Sequence, residues 1–332
     1  MDVVAIVAAL GLAFVLGVSD APNATSALVA SRAAPWHAAL LYSFALHALG
    51  ALLGGTAVAL TVSRLVSVSR GDLPSAYAAA CLAAIVFVAG AARLGLPSSA
   101  TYGLVGGLVG AGLVSGGPGD IRWGGFDGIR PDGTIGTLAG LVISPMLGVA
   151  AGWLARRIVG RATARASRHL LRPVKGGIWV AAGLVALSDG TNDGQKAMGI
   201  AAAVLLASGS LHRFEVPFWV RVSVAGTLAL GTAVGGGRVV RRVSRGYYRP
   251  GPVDSLVAQA SSAAVILGAA ALGAPVSTST VVASAVVGVG ADRHPRHVRW
   301  AGVAETMSAW ALTVPICALL GAALFACARL VA

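Results

Sequence analysis

The sequence predicts an all-α integral membrane protein built as an inverted repeat, with broken helices and two re-entrant hairpins. Three observations carry this. Of 332 residues, 56% are hydrophobic and only 11% are charged, whereas a soluble globular domain carries about 25% charged residues. Long apolar runs follow one another, broken mainly by Gly, Ser and Thr, and 45 residues are glycine, as in helices whose backbones pack closely in a bilayer. Two polar motifs each occur twice, once in each half of the chain. Together these exclude an ordinary soluble enzyme and a disordered chain.

The segments follow in order. The first, 3–33, has no basic leader and no clear cleavage site, so 1–17 reads as a retained membrane segment. The second, 36–62, contains His47. Segments 73–95 and 97–115 flank Pro97-Ser98-Ser99-Ala100-Thr101 and form the first hairpin. The stretch 116–132 sets Asp120, Asp127 and Asp132 against Arg122 and Arg130. Segment 133–155 completes the first half. After a basic stretch come 177–208 and 214–237. Segments 252–273 and 275–291 flank Pro275-Val276-Ser277-Thr278-Ser279-Thr280, the second hairpin, and 298–328 closes the chain. The expected organisation is a first half at 1–155, a basic linker at 156–176 and a second half at 177–332.

The net charge of +13 would suggest nucleic acid in a soluble protein. Here the basic residues sit between apolar runs: Arg156, Arg157, Arg161, Arg165, Arg168, Arg172 and Lys175 in one stretch, Arg238, Arg241, Arg242, Arg245 and Arg249 in another. That is the pattern of cytoplasmic loops facing anionic lipid, so lipid is expected as a partner and nucleic acid is not. Propagating the bias puts 116–132 and both termini outside, and makes the two hairpins enter from opposite sides. Cys81, Cys317 and Cys327 lie within apolar segments without metal-ligand spacing.

The motifs suggest the chemistry. Gly17-Val18-Ser19-Asp20-Ala21-Pro22-Asn23-Ala24 aligns with Gly190-Thr191-Asn192-Asp193-Gly194-Gln195-Lys196-Ala197. A carboxylate at membrane depth is costly and needs a partner or a wet cavity. Asp20 and Asp193 therefore read as cation or proton sites, with Asp189, Lys196 and His47 as accessory candidates. Helix breaks are expected at Pro22 and at Gly190 and Gly194, freeing backbone groups to line a site. A helix cap would explain either aspartate alone, but not the repetition. The Pro-Ser-Thr motifs gather hydroxyls and orphan N–H groups at helix starts, which receive anions well. Two such tips meeting at mid-bilayer would surround a tetrahedral oxyanion with neutral donors. Oppositely oriented copies around a midplane site are the signature of an inverted-repeat secondary transporter.

In combination these motifs resemble the inorganic phosphate transporter family, the PiT-type permeases, and its bacterial low-affinity branch in particular. The late stretch Trp310-Ala311-Leu312-Thr313-Val314-Pro315 is also similar to that family's terminal helix. The resemblance implies uptake of inorganic phosphate by symport, with no cofactor and no enzymatic activity. The anion would be held by Ser99, Thr101, Ser277, Thr278, Ser279, Asn23 and Asn192. Departures from the family pattern include Lys196 in the place of Asn23, Asp189 for a frequent His, and Ala100 for a hydroxyl. Lys196 argues against a symmetric pair of sodium sites, so the expected coupling ion is H+, with Na+ as the alternative and a divalent metal entering as part of the substrate. Sulfate or another tetrahedral oxyanion on the same fold is the rival substrate. The resemblance further implies a cytoplasmic-membrane location and a homodimer.

Overall fold

Eleven α-helices make up most of the computed structural model, which describes residues 1–94, 98–163, 171–243, 248 and 250–331. They are α1 (Asp2–Ala30), α2 (Trp36–Leu53), α3 (Ala57–Ser63), α4 (Leu73–Leu94), α5 (Ala100–Gly116), α6 (Gly133–Thr163), α7 (Leu171–Ala207), α8 (Phe218–Val243), α9 (Pro252–Ala271), α10 (Thr278–Arg293) and α11 (Trp300–Val331). Eight of them, α1, α2, α4, α5, α6, α8, α9 and α11, are long and apolar enough to cross a membrane. A small antiparallel pair, β1 (Gly125–Asp127) and β2 (Arg130–Asp132), lies in the loop between α5 and α6, where no strand was expected.

The repeat shows in how helices pair across the halves. Helix α1 packs on α8, and α7 packs on α2; α5 packs on α11, and α10 packs on α6. Each of these is one contact seen twice with the halves exchanged. Glycines fix it at backbone level. A Cβ on Gly17 would lie 2.0 Å from the Leu228 carbonyl oxygen, and one on Gly190 2.2 Å from that of His47. The reverse contacts match as well, Gly231 on the Phe14 carbonyl and Gly50 on the Leu187 carbonyl. Gly110 on Ala318 repeats as Gly288 on Val149, and Gly152 on Ala285 repeats as Gly321 on Gly107. Aligning Asp20 with Asp193 is thus the register the packing uses. Without a hydrophobic drive between helices in lipid, close backbone approach through small residues is what holds such pairs.

The hairpins α4–α5 and α9–α10 open on opposite faces. The start of α6 sits beside the open end of the first, where Thr134 N donates to Arg122 O and Arg122 N to Leu65 O. The far part of α6 reaches the open end of the second, where Arg156 donates to Asp254. Between these ends runs one helix of 31 residues, about 46 Å at 1.5 Å per residue.

Three expectations need correction. The helices carrying Asp20 and Asp193 are not broken: α1 runs through Pro22 and α7 through Gly190 and Gly194. Pro22 removes only one N–H, and the two glycines serve close approach to α2 instead of unwinding. Segment 36–62 is divided, because Gly54 ends α2 against Thr191 and the chain restarts as α3, whose Val58 N–H is taken by Gln195 Oε1. The basic stretches are largely helical, with Arg156, Arg157 and Arg161 on α6 and Lys175 on α7. Arg156 is buried against Asp254 instead of facing lipid headgroups. Pro97, Arg165, Arg168, Arg245 and Arg249 lie outside the described residues.

Candidate functional site

Helix α7 places Asp189, Asn192, Asp193 and Lys196 on one face, since residues at i, i+3, i+4 and i+7 align along a helix. Helix α1 places Asp20 and Asn23 likewise. The tips of both hairpins meet these faces. All the aspartates are buried, and Lys196 is 0% exposed.

Thr278, the first residue of α10, ties the halves together. Its hydroxyl lies 2.9 Å from Asp20 Oδ1 and 2.9 Å from Asp193 Oδ2. Ser279 also donates to Asp20. Both residues lie in the first turn of α10, whose N–H groups have no partner within the helix and whose dipole favours negative charge. Ser99, the N-cap of α5, donates from its side chain to Ser277, the N-cap of α10, at 2.9 Å.

The Lys196 ammonium has all its donors engaged: Asp193 Oδ1, Thr101 Oγ1 at 2.7 Å and the Val276 carbonyl at 2.6 Å. It clamps α7 to the first turn of α5 and to the turn between α9 and α10. On the equivalent face of α1, Asn23 takes a different role. Its amide donates to Asp20 at 3.1 Å and to Asp189 at 2.9 Å. Asp189 in turn lies 3.7 Å from His47 Nε2 on α2. Asn192 donates to the Ala274 carbonyl, which fixes α7 against the same turn.

Hydrogen bonds thus link Asp20, Asn23, Thr101, Asp189, Asp193, Lys196, Thr278 and Ser279, with His47 3.7 Å from Asp189, while Ser99 and Ser277 pair with each other and Asn192 bonds only the α9–α10 turn. The carbonyls expected from broken helices come instead from the α9–α10 turn, through Ala274 and Val276. Two members were missed. Gln259 of α9 donates to the Asn23 carbonyl at 2.8 Å; a lone amide in an apolar segment was the available signal. Thr232 of α8 lies 3.3 Å from His47 Nδ1, and nothing in the sequence separates it from other membrane threonines. Among the described residues no group of three or more His, Cys, Asp or Glu is placed to hold a metal ion.

The arrangement sets three buried carboxylates against one buried ammonium. Asp193 is neutralised by Lys196, while Asp20 and Asp189 are held by neutral donors.

The profile described as "Phosphate transporter family" matches residues 16–175 and 161–321. A protein of Rhizobium meliloti named a probable low-affinity inorganic phosphate transporter is 33% identical, over 98% of this chain and 96% of its own. One of Bacillus subtilis with the same name is 29% identical, over 97% of this chain and 95% of its own. One of Mycobacterium tuberculosis (strain H37Rv), again so named, is 32% identical, over 96% of this chain and 75% of its own. A solved structure titled "The sodium-dependent phosphate transporter" superposes with a TM-score of 0.86 at 22% identity, covering 100% of this chain and 99% of that one. With the eight apolar helices, these relatives make the chain a multi-pass membrane transporter and not an enzyme.

Proposed function

The chain belongs to the phosphate transporter family, and we propose that it carries inorganic phosphate across the cytoplasmic membrane as a proton-coupled symporter. The observation that carries this reading is the Thr278 hydroxyl shared by Asp20 and Asp193 at the N-terminus of α10, where the two hairpin tips touch. The anion would sit between Ser99 and Thr101 on one tip and Ser277, Thr278 and Ser279 on the other, with Asn23 and Asn192 behind. Protonation of Asp20 frees Thr278 and Ser279 to donate to the anion, and carrying anion with cation lowers the charge moved through the low-dielectric core. One half, 1–155, then rocks against the other, 177–332, in alternating access. Both termini would face outside, and the unit would be a homodimer.

Sodium is the second reading, favoured by the name of the structural neighbour. Against a matched pair of sodium sites stands Lys196, whose ammonium fills in one half the place that Asn23 holds in the other. Phosphate is preferred to sulfate because at pH 7 it can donate a proton to Asp20 or Asp193 and sulfate cannot. Reconstituted uptake of labelled phosphate, with pH, sodium and magnesium varied independently and sulfate as competitor, tests the reading. Accumulation driven by a pH gradient alone supports it. Accumulation that needs sodium at every pH shifts the coupling ion. Magnesium-dependent uptake identifies a metal phosphate as the cargo.

A further inference from the structure

We propose that His47, paired with Asp189, is a second proton site, separate from Asp20 and coupled to it through Asn23; this rests on the reading of the chain as a proton-coupled phosphate carrier. His47 is 1% exposed, and its Nε2 has no hydrogen-bond partner, facing Asp189 Oδ2 at 3.7 Å. The other Asp189 oxygen, Oδ1, is also buried and unpartnered. A buried imidazole nitrogen facing a carboxylate calls for a hydrogen between them, so the neutral ring carries its proton on Nε2 and leaves Nδ1 as the nitrogen that can take up a second.

Thr232 lets the imidazole exist in two protonation states. Its hydroxyl lies 3.3 Å from His47 Nδ1 and 3.2 Å from the Leu228 carbonyl. With neutral His47, Thr232 donates to Nδ1 and the ring proton sits on Nε2, towards Asp189. When a proton arrives at Nδ1, the Thr232 hydroxyl turns to Leu228 and accepts from the imidazolium. Neither state strands a donor. No bond other than N–H is made, and the proton comes from water on whichever side the site opens.

The titratable groups around His47 follow from the helices packed on α2. From α7 comes Asp189, and from α1 comes Asp20, one amide further on through Asn23. From α8 the facing group is Thr232, which does not titrate. Asp193 and Lys196, further along α7, are paired with each other. A proton on His47 therefore compensates Asp189, draws the Asn23 amide less strongly to that side and leaves it to Asp20.

The test uses full-length protein in proteoliposomes, with labelled inorganic phosphate as the probe. Phosphate exchange at equal pH on both sides needs no net proton movement, whereas accumulation under an imposed pH gradient does. For His47→Gln the expected result is measurable exchange with an accumulation ratio at least about tenfold below wild type, which is about 1.4 kcal/mol of lost driving force. Accumulation equal to wild type overturns the proposal. Should His47→Gln lose exchange as well, Thr232→Val decides. Removing the acceptor for Nδ1–H weakens proton binding, so the midpoint of uptake moves to lower pH by half a unit or more; an unmoved midpoint overturns the proposal. A wild type that exchanges no phosphate contradicts the phosphate reading itself, and this inference with it, before any variant is made.

Discussion

The Ser99 hydroxyl donates to that of Ser277 at 2.9 Å, joining residues 178 positions apart in the chain. Each is the N-cap of the second helix of its hairpin. A contact between a residue and its own equivalent lies on the axis that relates the two halves, so this hydrogen bond marks the centre of the molecule. Around it the symmetry fails at several side chains, among them Lys196 against Asn23 and Thr278 against Ala100. Lys196 bridges Asp193 to both tips, while Asn23 joins Asp20 to Asp189. The cluster is near-symmetric in backbone and asymmetric in charge.

Asp193→Asn leaves the Lys196 ammonium buried with only neutral acceptors. Removing one partner of such a pair costs about 3–5 kcal/mol. The variant is expected to insert, to melt well below wild type and to show no concentrative uptake. Asp193→Asn with Lys196→Met removes both charges and is expected to recover most of the thermal stability but none of the uptake. Melting in detergent and uptake in vesicles separate the two effects.

Thr278→Val keeps the shape of the side chain and removes the hydroxyl shared by Asp20 and Asp193. The expected outcome is a KM for phosphate raised about tenfold, the ~1.4 kcal/mol of one hydrogen bond to a charged group. An unchanged KM would remove Thr278 from the anion site.

Gly17→Ala places a Cβ 2.0 Å from the Leu228 carbonyl oxygen, so α1 and α8 must separate. A loss of about 1–3 kcal/mol is expected, as in other overpacked contacts. Gly226, also on α8, has open space where a Cβ would go, and Gly226→Ala is expected to be neutral. Melting temperatures of the two variants check the contrast.

The hairpin bases are tied unequally. Asp254 is buried and accepts from Arg156, Arg293 and Tyr248. Asp72 is partly exposed and, among the described cationic side chains, pairs with Arg329. Asp254→Asn is expected to destabilise strongly, and Asp72→Asn hardly at all at neutral pH. The hydrogen bond from Arg329 holds the Asp72 carboxyl below its ordinary range, against a weaker opposing push from burial. A lowered value in the folded state gives stability that is present above the ordinary aspartate range and is lost as pH falls through the lowered value. The small margin of wild type over Asp72→Asn is therefore expected to disappear as pH falls below about 4.

Much of this architecture was legible in the residues. The register of Asp20 on Asp193 follows from the repeated motif, and the glycine contacts use that same register. The meeting of the hairpin tips follows from Ser99 and Ser277 occupying equivalent turns. The continuity of α1 and α7 was not legible, because Pro22, Gly190 and Gly194 signal breaks locally while their actual partners, α8 and α2, come from distant segments. Burial of Arg156 was hidden for the same reason: a basic stretch reads as loop until Asp254, 98 residues away, is seen beside it. Thr232 could not be singled out, since its meaning depends wholly on His47 lying across from it.

The proposed phosphate site lies where Ser99 and Ser277 meet. Ser99→Cys with Ser277→Cys, in a background where Cys327 is replaced, puts two sulfurs where two oxygens now lie 2.9 Å apart, within easy reach of a disulfide bond. A phosphate site there predicts that oxidation joins the tips and stops phosphate uptake, that reduction restores it, and that phosphate present during oxidation protects against the cross-link. Rapid uptake by the fully cross-linked protein, with no protection by phosphate, would contradict it.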